Sequence, residues 1–413
     1  IMDGTLQVFD RVLSFVGISI FAKGNWHSKG WMIIQIFNFF LGFLTFIFSS
    51  GFVISNMSDL LLCIQGASVW TTGVIMCISL AICLIHKKDF EKFVEEMAFR
   101  DPALSMPIVQ FALKCDKQEG KIKELKTIVE DSHSQLFDMT RILLLTYVAS
   151  VWFCVTLYIS GPIYQMIVSV DESQRSLAFD MWFPWSLDNM AVYIPSFVFH
   201  AYAAYMCCIV YPGLQSTIIL LVGQTIRQLK IITFILLNLQ YIVLEINGGK
   251  DKNWQLASTT LLSQCIQHYI KVKGFSNRLI RICQPFYLTL ILVATMLVCV
   301  CSVKIAVSDK FSVDIVKYYV HELCFILVVF MFCYLGQQVE NQCEYLERVV
   351  LESWYIYDKK HIKHVLIFKM ALDQRMPIYI FGTITLSLPT FTWFIKNGMS
   401  FFTLVMSVLE RRN

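Results

Sequence analysis

Seven stretches of the sequence run without Asp, Glu, Lys or Arg for about the length that a membrane-spanning helix needs. A hydrocarbon core roughly 30 Å thick requires about 20 consecutive apolar residues in a helix. The chain of 413 residues is 56% hydrophobic and 15% charged, which is more apolar surface than a soluble protein buries. The pattern predicts an all-α polytopic membrane protein with seven transmembrane helices, at 31–58, 60–85, 142–170, 189–226, 285–303, 323–339 and 376–409, the last interrupted by Lys396.

The basic residues predict how these spans are oriented. With a cytoplasmic amino terminus, 27 Lys and Arg residues fall on the cytoplasmic side and 5 on the outer side. This bias follows the positive-inside rule and places the carboxyl terminus outside the cell. An eighth span over the charge-free run 231–244 would reduce the bias to 17 against 13. That run is also too short to cross a membrane, so we expect it to pack against protein as a continuation of the fourth helix.

The long connections lie on the predicted cytoplasmic side and carry apolar residues at three- and four-residue spacing. Such segments indicate amphipathic helices that extend the bundle into a cytoplasmic layer. The predicted organisation is a cytoplasmic segment 1–30, spans one to four at 31–226 with a cytoplasmic helical loop 86–141, an anchor segment 227–284, spans five and six at 285–340, an anchor helix 341–375 and a seventh span 376–410.

Catalytic and metal-binding patterns are missing from the sequence. It contains no Gly-rich phosphate loop, HExxH, GxSxG or paired CxxC, which argues against an enzyme and against a cofactor or metal. His361 and His364 share the spacing of a metal pair, but the basic run around them favours a solvated helix face. Asn56 begins the one glycosylation sequon, in a short outer loop. Most of the 14 cysteines fall in spans and resemble small buried hydrophobes.

Ionisable residues inside a membrane are costly and often functional. Lys304, His321 and Glu322 lie close enough to the interface to extend their polar ends into water. His200 lies deeper, in an aromatic part of the fourth span. It is compatible with a ligand cavity lined by Tyr193, Phe197 and His200, and equally with a histidine satisfied in the core.

The last span carries polar residues on one face. At 100° per residue, Lys396, Ser400, Thr403 and Ser407 fall within an arc of about 60°. Hydroxyl groups in such an arc bond to backbone carbonyls or bridge helices in many membrane proteins. A polar stripe also lines the wall of a water-filled pore. The spacing alone leaves both interpretations open.

The carboxyl-terminal part of the chain resembles the insect odorant receptor family. The resemblance rests on FCYLGQQVE (332–340), ESWYIYDKK (352–360), MALDQRMPIYI (370–380) and LPTFTWFIKNGMSFFTLV (388–405) in this order, with WFPWSLDN (182–189) further upstream. It implies seven spans with an inner amino terminus, in a tetrameric odorant-gated cation channel that passes Na⁺, K⁺ and Ca²⁺. The chain is similar to a tuning receptor that joins a shared co-receptor, because it lacks the co-receptor's long insertion between spans four and five.

The resemblance also implies roles for particular residues. Four copies of the last helix would surround a pore, with Leu404 and Val408 as an apolar gate and Ser407 as a polar ring. Ser400 stays divided between pore wall and helix packing. A volatile, mostly apolar ligand would bind in the outer half of the bundle, at Ser68, Val69, Thr72, Trp152, Phe153, Thr156, Tyr193, Phe197, His200, Tyr319 and Phe325. The expected location is the plasma membrane of a sensory neuron dendrite.

Other classes of membrane protein fit the sequence less well. A gustatory-type channel of the same superfamily shares much of the carboxyl-terminal pattern and stays open as an alternative. A G-protein-coupled receptor would have an outer amino terminus, a DRY-like triplet and NPxxY, and the sequence has neither motif. A transporter would show two related halves, each with a broken helix. The prolines of span four could break that helix, but no second half of the sequence contains a corresponding segment.

Overall fold

Most of the residues that the structure describes are helical. A computed structural model describes residues 2–18, 20–21, 29–115, 119–168, 177–247, 253–307, 313–352, 354–373, 376, 378–380, 382 and 384–412. The helices are α1 Met2–Ser14, α2 Lys29–Ser55, α3 Leu60–Ile85, α4 Lys87–Val94, α5 Pro107–Lys114, α6 Lys121–Val168, α7 Met190–Leu237, α8 Leu239–Ile246, α9 Trp254–Val307, α10 Val313–Glu352, α11 Lys359–Asp373 and α12 Leu388–Arg412. Shorter turns are a π-helix at Glu95–Phe99 and 3₁₀ helices at Pro102–Ser105 and Trp354–Ile356.

Six helices in the described part of the chain are long and apolar enough to cross a membrane, and they coincide with the first six predicted spans. Polar caps define two of their starts. The Asp59 carboxylate accepts hydrogen bonds from the amides of Leu61 and Leu62 at the start of α3, and the Asn189 side chain accepts one from Ala191 at the start of α7. The polytopic, nearly all-helical membrane fold is therefore confirmed, whereas the seven-span count and the orientation stay predictions.

The helix α7 forms the centre of the bundle. In its most apolar window 94% of the residues are buried, against 28% for α2. It packs against α6, α9, α10 and α3, and α2 covers α3 from the outside. Around Pro212 the helix is buried on every side, which lets it tolerate polar residues and a proline that a lipid-facing helix would accommodate less easily. The first turns of α7, which contain Pro195, are partly exposed.

Several helices continue well beyond the thickness of a membrane. The 54 residues of α9 make a helix about 80 Å long, more than twice the hydrocarbon thickness. We use the name distal layer for the assembly formed by α8, α11 and residues 227–237, 254–284 and 340–352. The charge-free run 231–244 is divided between two helices of this layer: α7 continues to Leu237, and α8 has only 8 residues, too few to cross a membrane. Its cytoplasmic location stays a prediction.

The structure corrects the start of the seventh predicted span. Instead of helix, β1 Tyr379–Ile380 and β2 Ile384–Thr385 pair as two short antiparallel strands of a small hairpin. Gly382 lies in its turn with φ of 72°, a conformation that glycine adopts without strain. The helix α12 begins only at Leu388, with Pro389 in its first turn, where a missing amide hydrogen costs no helical bond. Apolarity alone did not distinguish this short hairpin from part of a span.

Candidate functional site

A cavity lies between α2, α3, α6, α7 and α10 in the half of the bundle that contains the start of α7. The volume that the centre of a water-sized sphere can reach inside the cavity is about 90 Å³. This is several times the volume that one buried water molecule needs by the same measure. The surrounding residues are mostly aliphatic, aromatic or sulfur-containing. They are Thr45, Val69, Thr72, Gly73, Met76, Tyr147, Val151, Cys154, Val155, Tyr158, Phe179, Met181, His200, Ala203, Ala204, Cys207, Tyr211, His321, Cys324 and Phe325.

A row of aromatic rings forms one wall of the cavity. The ring centroids of His200 and Phe179 are 6.0 Å apart, and Phe179 stacks on Tyr158 at 5.2 Å. Tyr158 meets His321 edge to face at 6.5 Å, and His321 meets Phe325 at 5.4 Å. Rings in these arrangements attract one another beyond their burial. The row therefore gives the cavity a firm, largely apolar surface.

Few polar atoms reach this wall, and several have no hydrogen-bond partner within the described residues. They are both ring nitrogens of His200, the hydroxyl of Tyr158 and Nδ1 of His321. Nε2 of His321 is engaged, 3.2 Å from the hydroxyl of Thr72. An apolar enclosure with a few convergent polar groups is typical of a small-molecule binding site.

The structure separates the residues predicted to bind ligand into two groups. Val69, Thr72, His200 and Phe325 line the cavity. The other predicted residues do not line it: Ser68 is buried with its hydroxyl bonded to the carbonyl of Gln65, Tyr193 and Phe197 stack on each other 6.2 Å apart, and Trp152, Phe153, Thr156 and Tyr319 lie exposed on the bundle surface. The sequence selected these residues by their depth along each span, which carries no information about which way the helix is rotated.

Helical periodicity contains the missing information. On α6 the lining residues Val151, Cys154, Val155 and Tyr158 follow the spacing of one helix face, and Trp152, Phe153 and Thr156 fall on the opposite face. The α7 residues at 200, 203, 204, 207 and 211 show the same repeat. His321, expected at the membrane interface, belongs to the cavity wall for the same reason, because it shares a face with Cys324 and Phe325.

The last helix presents a second candidate surface. One face of α12 packs on α9, where Gly398 approaches Val298 so closely that an added Cβ would lie 3.1 Å from its methyl carbon. The opposite face is exposed and includes all four residues that the sequence assigns to the pore: Ser400, Leu404, Ser407 and Val408.

The hydroxyl groups on this face also bond to their own helix. Ser400 donates to the carbonyl of Lys396 at 2.9 Å, and Ser407 donates to that of Thr403 at 2.7 Å. Each of these hydroxyls is therefore bonded to the backbone of its own helix, while the stripe as a whole faces away from the bundle. The pore interpretation stays a prediction.

The remaining candidate residues lie apart from the cavity. Asn56 lies in the turn between α2 and α3, with its amide donating to the carbonyl of Phe52. His361 is buried and stacks on Tyr357 with 3.8 Å between ring centroids, so it does not belong to the solvated face that the basic run suggested. Burial lowers the pKa of His361 to about 4. No cluster of three or more potential metal ligands occurs among the described residues.

Comparisons with known proteins identify the family. A family profile described as 7tm Odorant receptor matches residues 113–399, more than half of the chain. The chain belongs to the odorant receptor family. Odorant receptor 13a of Drosophila melanogaster is 18% identical over 383 residues, which cover 88% of this chain and 84% of that protein.

The fold of this odorant receptor is also found in solved structures. The olfactory receptor OR5 of Machilis hrabei in complex with eugenol superposes with a TM-score of 0.81 at 11% identity, over 98% of both chains. A second structure of OR5 gives 0.79 at 11% identity, over 98% of this chain and 97% of that one. Family membership confirms the resemblance in the sequence and the prediction that this multi-pass membrane protein is not an enzyme, since odorant receptors are ligand-gated channels.

Proposed function

We propose that this odorant receptor is a tuning subunit of an odorant-gated, non-selective cation channel, assembled with the odorant co-receptor in a tetramer. The observation that carries the proposal is the apolar cavity with unpartnered polar groups on His200, Tyr158 and His321. Such a cavity suits a small volatile molecule with one polar group. The ligand would enter the half of the bundle that the charge distribution assigns to the outer leaflet.

A ligand opens a channel only if it binds the open state better than the closed one. The helix α10 offers a physical link between cavity and pore, because it contributes His321 and Phe325 to the cavity wall. Further along α10, Phe330 contacts Phe391 of α12 edge to face, with 5.3 Å between ring centroids. A shift of α10 on ligand binding would therefore be transmitted to the last helix.

The exposed face of α12 would line the pore when four subunits surround a common axis. Leu404 and Val408 would form apolar rings that close the pore by excluding water. Ser407 would place a ring of hydroxyl groups beside them, and Ser400 would continue the wall. The permeant ions would be Na⁺, K⁺ and Ca²⁺.

The remaining parts of the predicted architecture complete this proposal. The amino terminus would be cytoplasmic and the carboxyl terminus extracellular, in the dendritic plasma membrane of a sensory neuron. The distal layer would form the cytoplasmic anchor between subunits. Exposed apolar side chains of that layer, such as Leu366 and Met370, support such contacts because they have no membrane to enter.

The test is to express this chain with the co-receptor and record currents during exposure to a chemically diverse volatile panel. We expect inward cation currents that require both subunits. Substituting Ser407 by Ala should change ion permeability or rectification, whereas Trp152→Phe, on the exposed face of α6, should leave both unchanged. Silence across the panel with surface expression demonstrated would contradict the proposed function.

A further inference from the structure

The two ring nitrogens of His200 define an unusual requirement for the ligand. His200 lines the cavity with no exposed surface, and neither nitrogen has a hydrogen-bond partner among the described residues. Phe179, Phe183 and Phe199 surround the ring with centroid distances of 6.0, 5.3 and 6.3 Å. These aromatic neighbours offer no conventional acceptor or donor. His200 also belongs to the lining of the cavity, so a molecule bound there would lie beside the ring and would be the nearest source of a partner.

A neutral imidazole always presents one N–H donor and one acceptor nitrogen, whichever tautomer is present. A charged imidazolium is disfavoured here, because burying an unpaired charge is far more costly than burying a neutral ring. None of the residues that line the cavity is Asp, Glu, Lys or Arg, so no carboxylate stands ready to pair with that charge. One nitrogen of His200 is therefore a buried acceptor, and only a hydrogen-bond donor can satisfy it.

The second unpartnered group, the hydroxyl of Tyr158, can both donate and accept. Its ring stacks on Phe179, which also contacts His200, so the two polar groups lie on the same wall with one ring between them. Nδ1 of His321 adds a third such group on the far side of Tyr158. Ethers, esters, ketones and hydrocarbons have no donor for the acceptor nitrogen of His200.

We infer that the cavity selects small apolar molecules that carry a hydroxyl group, alcohols or phenols, with the hydroxyl hydrogen donated to His200. This inference rests on the proposed function, because it names the ligand class of the same cavity. The oxygen of the ligand hydroxyl can then accept a hydrogen bond, for example from the hydroxyl of Tyr158. An ether oxygen can accept the same bond. The donated hydrogen distinguishes the two classes, and its absence leaves a buried acceptor unsatisfied.

The experiment compares matched ligands on cells that express this chain with the co-receptor. Several alcohols and phenols are each paired with a methyl ether and a hydrocarbon of equal heavy-atom count. Half-maximal concentrations are then measured from the evoked currents. We expect each hydroxyl compound to act at a concentration lower than its ether by a factor on the order of tenfold to a hundredfold, the cost of one unsatisfied buried group. Equal potency of alcohols and ethers would overturn the inference, although ligand-gated currents would still support the channel.

Two variants locate the preference within the cavity. His200→Phe replaces the imidazole with a ring that has no polar atom, so the alcohol and its ether should become equally potent. Tyr158→Phe removes one hydroxyl and should narrow the difference in half-maximal concentration between an alcohol and its ether. Tyr164 is an exposed tyrosine on the same helix, so Tyr164→Phe should leave that difference unchanged. If the His200→Phe receptor reached the cell surface and still responded to alcohols at the same advantage over their ethers as wild type, the ligand hydroxyl would donate to some other group. That result would overturn the inference. If no volatile evokes current from wild-type receptor, the proposed function fails first, and the inference with it.

Discussion

Arg227 shows how a single charged residue is accommodated within the central helix α7. Its guanidinium is 3% exposed and donates to both carboxylate oxygens of Asp101, at 2.9 and 2.8 Å. It also donates to the hydroxyl of Ser132 and the carbonyl of Val129 on α6. Burial raises the pKa of Asp101, but the hydrogen bonds and charge of Arg227 outweigh burial, so the pKa lies below its ordinary value of 3.8. The pair joins the loop after α4 to α6 and α7.

Asp101→Asn should destabilise the receptor at neutral pH. Removing one member of a buried ion pair leaves the other charge unpaired, at a cost of about 3–5 kcal/mol. Because the pKa of Asp101 is lowered in the folded state, its stabilising effect is present above pH 3.8 and is lost as the pH falls through the folded pKa. Thermal unfolding of the purified assembly across pH should show a wild-type advantage that shrinks in acid.

The matched control is the exposed pair of Arg100 and Glu95, with 2.8 Å between the charged atoms. Exposed pairs of this kind contribute about 0–1 kcal/mol, so Glu95→Gln should unfold close to wild type. Equal effects of the Asp101 and Glu95 substitutions would show that burial does not give the Arg227 pair its importance.

At the scale of single elements, the hairpin β1–β2 is held against α10 by a close backbone approach. A Cβ added at Gly336 would lie 2.0 Å from the carbonyl oxygen of Leu386, where no real Cβ fits. The amide of Leu386 is in turn bonded to the carbonyl of Ile378 at 2.9 Å. The glycine therefore sets the position from which α12 begins.

We expect Gly336→Ala to displace the hairpin and the start of α12, because backbone cannot move aside as a flexible side chain does. The measurable consequences are a lower unfolding temperature and smaller ligand-evoked currents at equal surface expression. Gly274→Ala is the control, since a Cβ there meets nothing within 4 Å. Alanine also favours helix by about 1 kcal/mol over glycine, so this control should be neutral or stabilising. Wild-type behaviour of Gly336→Ala would contradict the tight approach.

The elements differ in how far the sequence predicts them. Charge-free runs located six spans, because lipid excludes charged residues from a helix that faces it. The hairpin before α12 escaped notice because β1 and β2 are as apolar as a span, and hydropathy does not report the chain reversal at Gly382. Depth and residue type selected both His200, which lines the cavity, and Trp152, which lies on the exposed face of α6. The repeat Val151, Cys154, Tyr158 gives the rotation of α6 that depth omits.

At the scale of the whole molecule, the cavity and the exposed face of α12 are separate surfaces, and the helix α10 connects the cavity wall to α12. His321 of α10 contacts the cavity, and Phe330 of the same helix contacts Phe391 of α12. Ser407 lies further along α12, on the face turned away from α9. Under the proposed function, the residues that transmit ligand binding would therefore be separate from the residues that line the path of ions. The two roles should therefore respond to different substitutions.

Phe391→Leu should raise the half-maximal ligand concentration severalfold, because an aromatic pair contributes about 0.5–1.5 kcal/mol beyond its burial. The reversal potential should stay at its wild-type value, since Phe391 packs against Phe330 and Phe394 inside the bundle. Ser407→Ala should do the opposite and change the reversal potential under asymmetric ion gradients, with little effect on ligand concentration. Dose–response and reversal-potential measurements on both variants would decide the matter. If Phe391→Leu altered ion selectivity while Ser407→Ala altered ligand sensitivity, the division between transmission through α10 and conduction along α12 would be wrong.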